Sequence, residues 1–135
     1  MQLICISRGS YSGGKEFAER LAKKLGWSCL SREELLDEAA GRGIAVGKLE
    51  MAMIKPRPLT ERMALERDHY QAFVTSVLCE RTLKENLVYH GRTAHLLLPS
   101  VGHILRIRVV SDMEYRIEAV MQRLNLSREK AKASV

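Results

Sequence analysis

Hydrophobic residues follow two patterns along the 135 residues, short apolar runs and longer segments with an apolar residue every three or four positions. The runs predict buried strands, at residues 2–7, 27–30, 87–89 and 103–110. The longer segments predict helices, at residues 16–25, 31–41, 61–84, 94–98, 112–124 and from 128 onwards. A further short helix over 44–53 is weakened by Gly47. The order β-α-β-α-α-β-α-β-α-α predicts a three-layer α/β fold with a mostly parallel sheet.

Several predicted helices begin at residues whose side chains can accept hydrogen bonds from free backbone N–H groups. Ser31 with Glu34, and Ser111 with Glu114, have the spacing of a capping box, in which side chain and backbone bond reciprocally. Thr60 is expected to cap the helix over 61–84. The run 55–58 has two prolines and two cations, and it predicts a loop.

The composition indicates one soluble, globular domain over residues 1–135. Hydrophobic residues make up 46% of the chain and charged residues 28%, as in ordinary globular proteins. No apolar run approaches the ~20 residues needed to span a bilayer, and no basic segment of a signal peptide precedes the first strand. Cys5, Cys29 and Cys79 form no CxxC pair, so reduced core thiols and a cytoplasmic location are expected.

The chain carries an excess of positive charge, with 22 Lys and Arg against 16 Asp and Glu. Such a surface can serve nucleic acid, a membrane or a small polyanion such as a nucleotide. Aromatic residues make up only 5% of the chain and do not alternate with basic ones, so the sequence gives no stacking platform for bases. The charge favours nucleotides as partners over nucleic acid, and a generally basic, soluble face is the simpler alternative.

A glycine-rich segment lies between the first predicted strand and the first predicted helix. Its spacing, Gly9-x4-Gly14-Lys15, matches the phosphate-binding loop G-x-x-x-x-G-K-[ST] except that Glu16 replaces the final hydroxyl. Glycines let N–H groups curl around an anion, the helix N-terminus adds positive charge, and Lys15 reaches the β- and γ-phosphates. The predicted phosphate-binding residues are Gly9, Ser10, Tyr11, Ser12, Gly13, Gly14, Lys15 and Glu16. The alternative is a glycine-rich turn with a surface lysine.

A second loop, Gly91-Arg92-Thr93, follows the third predicted strand. Ligands of α/β folds bind at the carboxyl ends of the strands. We therefore expect this loop and the glycine-rich segment to open onto the same edge of the sheet. His90, His95 and His103 lie close by in the sequence, but their spacing fits no zinc pattern, and ordinary histidines are expected.

Together, the two loops resemble the P-loop nucleoside monophosphate kinases, and most closely the cytidylate kinase-like family. The opening from Ile4 to Glu16 resembles the start of that family, and Gly91-Arg92 resembles its step that faces the monophosphate. Further segments follow with the family's spacing, at 96–99, 106–109 and 114–117. The resemblance covers essentially the whole chain, and it implies a P-loop NTPase fold with α/β/α layers.

The resemblance implies phosphoryl transfer from ATP to a nucleoside monophosphate, CMP or dCMP or a related small acceptor, with Mg²⁺ as the metal. Lys15 and the loop backbone would hold the donor phosphates. Arg92 would grip the acceptor's α-phosphate, which a guanidinium fork fits well. Arg116 and Arg123, on one helix, would neutralise the transferring group. The alternatives are that Arg92 pairs with a carboxylate, and that the two helical arginines are solvated charges.

The resemblance also divides the chain into functional segments. Residues 31–60 would bind the acceptor, with Arg32, Arg42 and Arg57 as candidate contacts. Residues 112–135 would begin the mobile lid. Family members continue through further lid arginines, a fifth strand and a closing helix. We therefore expect either a fragment of a longer protein or a degenerate domain, with further C-terminal domains or a homo-oligomer as possible partners.

Three positions depart from the family pattern and keep a second function open. Glu16 replaces the hydroxyl that ligates Mg²⁺ and would bind the metal through water, while His90 and Thr93 stand where acidic residues flank the GR step. A nucleotide kinase is the favoured hypothesis. The alternative is a catalytically impaired, nucleotide-binding regulatory or sensor module of a larger protein, and a nucleic-acid-binding domain is a third, less favoured hypothesis.

Overall fold

The computed structural model describes residues 2–44 and 60–135, in which strands alternate with helices. The strands are β1 (Leu3–Arg8), β2 (Ser28–Ser31), β3 (Leu87–Gly91) and β4 (Leu105–Val109). The helices are α1 (Gly14–Leu25), α2 (Arg32–Gly41), α3 (Glu61–Thr82), α4 (Met113–Leu124) and α5 (Arg128–Ser134). This order is the predicted one, whereas the expected helix over 44–53 and the loop over 55–58 fall outside the described residues.

The strands form one parallel sheet in the order β2-β3-β1-β4. At its centre, Ser7 of β1 pairs with Gly91 of β3 on one side and with Arg108 of β4 on the other. Since parallel strands share one direction, their carboxyl ends meet at the same edge of the sheet. The segments that follow β1, β3 and β4 therefore lie side by side. The predicted parallel α/β fold is confirmed.

Helices cover both faces of the sheet, which gives the expected layers. Successive residues of a strand point to opposite faces. Leu3 and Cys5 of β1 belong to the core under α2 and α3, whereas Ile4 and Ile6 pack with Ala18 of α1 on the other face. This burial of β1 on both faces is the one that its continuous apolar run predicts.

Two of the predicted helix caps are present. Ser31 and Glu34 form the capping box of α2, in which the Ser31 hydroxyl accepts from the Glu34 N–H at 3.1 Å and the Glu34 carboxylate accepts from the Ser31 N–H at 2.7 Å. Thr60 caps α3 by accepting from the Met63 N–H at 3.2 Å. These bonds satisfy N–H groups that a helix start leaves without an intrahelical partner.

The predicted capping box at Ser111 and Glu114 is wrong. The N-cap of α4 is Asp112, whose carboxylate accepts from the Tyr115 N–H at 2.8 Å. Aspartate and serine are comparably good N-caps, so adjacent Ser111 and Asp112 are both adequate starts by local sequence alone. The helix therefore begins one residue later than predicted.

Two further boundaries differ from the prediction. α1 begins at Gly14 and not near Glu16, because the glycine-rich segment runs directly into the helix. The helix expected over 94–98 is a single 3₁₀ turn, Ala94–Leu96, because Leu97 returns to extended backbone. The first difference shortens the connection between β1 and α1, and the second shortens the helical element after β3.

The cysteines lie in different environments, and all three are free thiols. Cys5 is buried, and burial raises the pKa of its thiol to about 11. Cys29 is partly buried, and Cys79 is exposed on α3. The expectation of three core thiols is therefore right for Cys5 and wrong for Cys79, which lies on the solvent side of its helix.

The long helix α3 supplies much of the core between the helices and the sheet. Its buried face follows the predicted helical spacing and consists of Tyr70, Phe73, Val74, Val77 and Leu78. This alternation of buried and exposed positions is typical of a helix that lies on a protein core. Over the ranges 2–44 and 60–135, no helix is both long and apolar enough to cross a membrane.

We expect Leu78→Ala to lower the free energy of unfolding by about 2–5 kcal/mol, because it leaves a cavity in the core. Leu78 is 0% exposed, whereas Leu83, just beyond the end of α3, is 81% exposed. Leu83→Ala is the matched control and should change the free energy of unfolding by less than about 0.5 kcal/mol. Urea unfolding followed by circular dichroism measures both values, and equal losses would contradict the placement of α3 on the core.

Candidate functional site

The segment 9–16, called here the glycine loop, joins β1 to α1 in a tight turn. The N–H and the hydroxyl of Ser12 both donate to the Gly9 carbonyl, at 3.3 and 2.8 Å. Two residues have left-handed backbone, Gly13 with φ 80° and Tyr11 with φ 57°. Glycine adopts this conformation freely, whereas a tyrosine does so at a cost. The loop thereby curls over the start of α1.

The start of α1 has the features of an anion site. Its N-cap is Gly13, which has no side chain to cap the first turn. The N–H groups of this turn also have no intrahelical partner. These groups carry the partial positive charge of the helix N-terminus. Lys15 lies in the same turn, with 56% of its side chain exposed and its ammonium 3.9 Å from Glu19. Backbone N–H donors and a lysine ammonium therefore lie in the same helical turn, which is open to solvent.

Gly14 allows β1 and α1 to approach closely. A Cβ atom on Gly14 would lie 2.4 Å from the Cβ of Arg8, which is far inside van der Waals contact. Arg8 is the last residue of β1, and its Cβ is fixed by the strand backbone. Any larger residue at Gly14 would therefore push the glycine loop away from the strand.

Arg92 lies at the glycine loop, as expected from the position of its own loop after β3. Its Nη2 donates to the Ser10 hydroxyl at 3.0 Å, across 82 positions of sequence. Arg92 is itself exposed. The two predicted loops thus open onto one edge of the sheet, within hydrogen-bond distance of each other.

Helix α4 packs across the glycine loop. The Nε of Arg116 donates to the Ser10 carbonyl at 3.0 Å. The Tyr115 hydroxyl lies close to Gly13, only 2.9 Å from the position that a Cβ would take. The Ser10 hydroxyl and carbonyl therefore accept hydrogen bonds from arginines of two different elements, which fixes this part of the loop.

Arg123 contacts the glycine loop from a position about two turns further along α4 than Arg116. Its guanidinium forms an ion pair with Glu16, and its central carbon lies 5.9 Å from the centre of the Tyr11 ring. Both charged side chains are about half exposed, at 47% and 45%, so solvent screens the pair. Glu16, expected to reach a metal through water, is engaged by an arginine in this arrangement.

A cavity of about 310 Å³ lies over the glycine loop. Its walls are the loop residues together with Arg8, Arg32, Glu33, Arg92 and Arg123. Among the predicted site residues, the cavity brings together the eight of the loop and three arginines. Arg116 holds the backbone of the loop and is not among the described residues that line the cavity.

Arg42, one of the predicted acceptor contacts, stands apart from this cavity. Arg42 lies at the end of α2, where its guanidinium is 2.8 Å from the Glu38 carboxylate and 5.8 Å from the centre of the Phe73 ring. It is not among the described residues that line the pockets around the glycine loop. Arg57 falls outside the described residues. A contact of either arginine with an acceptor stays a prediction.

A cluster of Arg8, Glu33 and His90 was not predicted from the sequence. The Nη2 of Arg8 donates to both carboxylate oxygens of Glu33, at 3.0 and 2.9 Å, and its Nε donates to Nδ1 of His90 at 3.0 Å. Since Nδ1 accepts this bond, the ring of His90 is neutral. The sequence signal that could have found the cluster was the place of Arg8 and His90 at strand ends, next to the two loops.

A second pocket of about 410 Å³ adjoins the first and is called here the basic pocket. It lies on the side of the sheet away from α1, between the ends of β1 and β4 and the 3₁₀ turn. The residues that line it are Ser7, Arg8, Gly9, Arg92, Thr93, His95, Leu96 and Arg108. It shares Arg8, Gly9 and Arg92 with the cavity over the glycine loop, so the two spaces adjoin.

The donor set fits a phosphate better than a metal ion. Over the described parts of the chain, no group of three or more His, Cys, Asp and Glu side chains could hold a metal. Near the cavity, Glu16 is paired with Arg123 and Glu33 with Arg8. Mg²⁺ in phosphoryl-transfer sites is commonly held by substrate phosphates, water and one or two carboxylates. One oxygen of the Glu16 carboxylate is bonded to Arg123 in this arrangement.

We expect Gly14→Ala to destabilise the protein by about 1–3 kcal/mol, because the new methyl group overlaps the Cβ of Arg8. Gly41, at the end of α2, has no described atom within 4 Å of the position that a Cβ would take. Gly41→Ala is the matched control and should leave stability unchanged or raise it by up to about 1 kcal/mol. Thermal unfolding of both variants measures the difference, and a neutral Gly14→Ala would show that the loop can move away freely.

His90 makes the stability of the fold depend on pH. Its pKa is lowered from the ordinary 6.5, first by burial and then by the charge of Arg8, although Glu33, Glu19 and Glu34 oppose this. The unfolded chain therefore binds the proton first, and stability falls as the pH drops below about 6.5. His90→Gln keeps an acceptor for Arg8 and does not titrate. We expect its urea midpoint to change less than that of the wild type between about pH 7.5 and 5.5; equal changes would exclude His90 as the source.

The fold is shared with solved structures of low sequence identity. An uncharacterized protein from Eubacterium ventriosum ATCC 27560 has a TM-score of 0.67 and 21% identity, over 99% of this chain and 68% of that one. TT1252 from Thermus thermophilus has a TM-score of 0.56 and 21% identity, over 98% of this chain and 77% of that one. A gluconokinase from Sinorhizobium meliloti 1021 has a TM-score of 0.55 and 14% identity, over 98% of this chain and 71% of that one. At these identities the likeness concerns the fold alone.

No curated protein sequence matches the chain at a significant level. The sequence model of one family, described as the cytidylate kinase-like family, matches residues 3–135. The match includes the glycine loop, the loop with Arg92 and the whole of α4. This family match supports a nucleotide kinase-like function. It also confirms the resemblance found in the two loops: the chain belongs to the cytidylate kinase-like family.

Proposed function

We propose that the protein transfers the terminal phosphoryl group of ATP to a nucleoside monophosphate such as CMP or dCMP. The observation that carries this proposal is the 3.0 Å hydrogen bond from Arg92 to Ser10. It places a cation suited to an acceptor phosphate against the loop suited to donor phosphates. Phosphoryl transfer needs this juxtaposition, because the reaction depends mainly on positioning and on neutralising charge.

The donor phosphates bind at the glycine loop in this proposal. The free N–H groups of the first turn of α1 and the curled loop backbone donate to the phosphate oxygens, as in other loops of this spacing. The Lys15 ammonium is held only loosely, since it lies 3.9 Å from Glu19 on the same helix face and its side chain is more than half exposed. It would neutralise the β- and γ-phosphates.

The acceptor phosphate binds opposite the donor, at Arg92. The Arg92 guanidinium exchanges its hydrogen bond to the neutral Ser10 hydroxyl for one to a charged phosphate oxygen, which is the stronger acceptor. Arg32, at the start of α2, also lines the cavity and would approach the acceptor from the side of β2. Because Arg92 lies at the glycine loop, the acceptor phosphate would be held beside the donor phosphates.

The arginines of α4 have different roles in the proposal. Arg123 would release Glu16 and neutralise the transferring group, whereas Arg116 holds the loop through the Ser10 carbonyl. Mg²⁺, held by the ATP phosphates and by Glu16 through water, would screen the negative charge of the phosphates. The release of Glu16 would therefore free one cation and one metal-directed carboxylate together.

A nucleotide-binding regulatory or sensor module is the second candidate function. The ion pair between Glu16 and Arg123 favours it, because the pair neutralises one of the cations that transfer would need. A module of this kind binds ATP at the glycine loop and does not turn it over. The two functions therefore share the donor site and differ in catalysis.

We expect Lys15→Ala to weaken ATP binding by about tenfold or more, because a charge-assisted contact to phosphate is lost. Lys24 lies in the last turn of the same helix, far from the loop, and Lys24→Ala is the matched control, expected to stay within about twofold of the wild type. Isothermal titration with ATP measures both affinities. Unchanged binding by Lys15→Ala would contradict the donor site.

Turnover then separates the two candidate functions. The wild-type protein is incubated with ATP, Mg²⁺ and a panel of nucleoside monophosphates, and nucleoside diphosphate is quantified by chromatography. Formation of CDP or dCDP supports the kinase. Binding of ATP without any product supports the sensor module, and the absence of ATP binding would exclude both.

A further inference from the structure

The basic pocket is built around Arg108, which no part of the proposed function uses. Arg108 of β4 pairs with Ser7 of β1, and paired residues of parallel strands point to the same face of a sheet. Arg108 is exposed at the edge of the sheet and lines the pocket opposite the 3₁₀ turn. Its side chain therefore reaches the same space as Arg92.

Among the described residues, the lining of the basic pocket carries a net positive charge. None of the described residues that line the pocket is an aspartate or a glutamate. Arg8 is bonded to Glu33, outside the pocket, and Arg92 donates to a neutral hydroxyl. Like charges held near one another favour an anion between them, so the pocket is best suited to a ligand of at least two negative charges.

The neighbouring Arg106 has a structural role that Arg108 does not share. It lies two residues earlier on the same face of β4, and its guanidinium donates hydrogen bonds to four backbone carbonyls. The acceptors are those of Leu97, Leu98, Val101 and Ile104, at 3.2, 2.6, 3.3 and 3.5 Å. Arg106 thus holds the segment after the 3₁₀ turn, while Arg108 lines the pocket.

Polar groups on the pocket wall are held ready for a ligand. The Ser7 hydroxyl accepts from the His95 N–H at 2.9 Å and lies 2.8 Å from Nδ1 of the same residue, which fixes the imidazole at the wall. Thr93 is 3% exposed, and its hydroxyl has no hydrogen-bond partner among the described residues. Buried polar groups are normally paired, so this hydroxyl is suited to bond to a ligand or to water.

We propose that the basic pocket binds the phosphate of the acceptor between Arg92 and Arg108, and that Arg108 is a specificity-determining residue which restricts acceptors to phosphomonoesters. This inference rests on the proposed kinase function, and it names the acceptor's chemical class. A pocket of about 410 Å³ lies within the usual range for small-molecule sites. It shares Arg8, Gly9 and Arg92 with the cavity over the glycine loop, so an acceptor phosphate in it would lie next to the donor.

Binding to variants of Arg108 tests the inference. CMP, ribose 5-phosphate and uncharged cytidine are titrated in turn into the wild type, Arg108→Gln and Arg108→Lys. We expect Arg108→Gln to bind CMP and ribose 5-phosphate about tenfold or more weakly, with partial recovery in Arg108→Lys. Cytidine binding should not change. Loss of CMP affinity alone, with ribose 5-phosphate unaffected, would overturn the assignment to phosphomonoesters as a class.

A matched control and a second ligand make the failures distinguishable. Arg62→Gln removes the same charge from the exposed surface of α3, where Arg62 pairs with Glu66, and should leave CMP affinity unchanged. ATP is titrated into every variant and should bind Arg108→Gln as it binds the wild type. Unchanged CMP affinity in Arg108→Gln, with ATP binding intact, would overturn this inference alone, whereas absent ATP binding by the wild type would overturn the proposed function.

A double-mutant cycle tests whether the two arginines share one phosphate. Arg92→Gln and Arg108→Gln are combined, and CMP affinity is compared with that of each single variant. Groups that bind the same ligand atoms are coupled, so the combined loss should fall short of the product of the single losses by about threefold or more. Independent, multiplicative losses would mean separate anions and would overturn the shared site.

Discussion

The parallel pairing of β1 with β3 and β4 is the constraint on which the site depends. Because all three strands end at one edge, the glycine loop, the loop of Arg92 and the end of β4 are neighbours. The register places Ser7 beside both Gly91 and Arg108. A slip of one residue would turn Arg108 to the other face of the sheet, away from the pocket that it lines.

Much of the fold is predictable from the sequence because its signals are local. Apolar runs, helical spacing and a glycine loop each require only neighbouring residues, and they give the order of elements and the position of the phosphate-type turn. The N-cap of α4 was missed since Ser111 and Asp112 are both good caps. The cluster of Arg8, Glu33 and His90 depends on packing between positions 25 and 82 residues apart, which no local pattern specifies.

Three arginines of the candidate site are bonded to groups of the protein itself. Ser10 accepts from Arg92 and from Arg116, and Glu16 pairs with Arg123. In the proposed function, a phosphate would replace Ser10 at Arg92 and Glu16 at Arg123, so its binding energy is a difference between two sets of contacts. The family motif identifies these arginines from the sequence, but their present partners follow from the docking of α4 on the loop.

The left-handed backbone of Tyr11 indicates that this loop was not selected for stability alone. A left-handed backbone at a non-glycine residue costs on the order of 1–3 kcal/mol, and Tyr11 has φ 57°. Selection for stability alone would place glycine or asparagine there. Its ring lies against Arg123, so the side chain that strains the loop also positions a cation, and part of the protein's stability is exchanged for a loop whose shape exists before any ligand arrives.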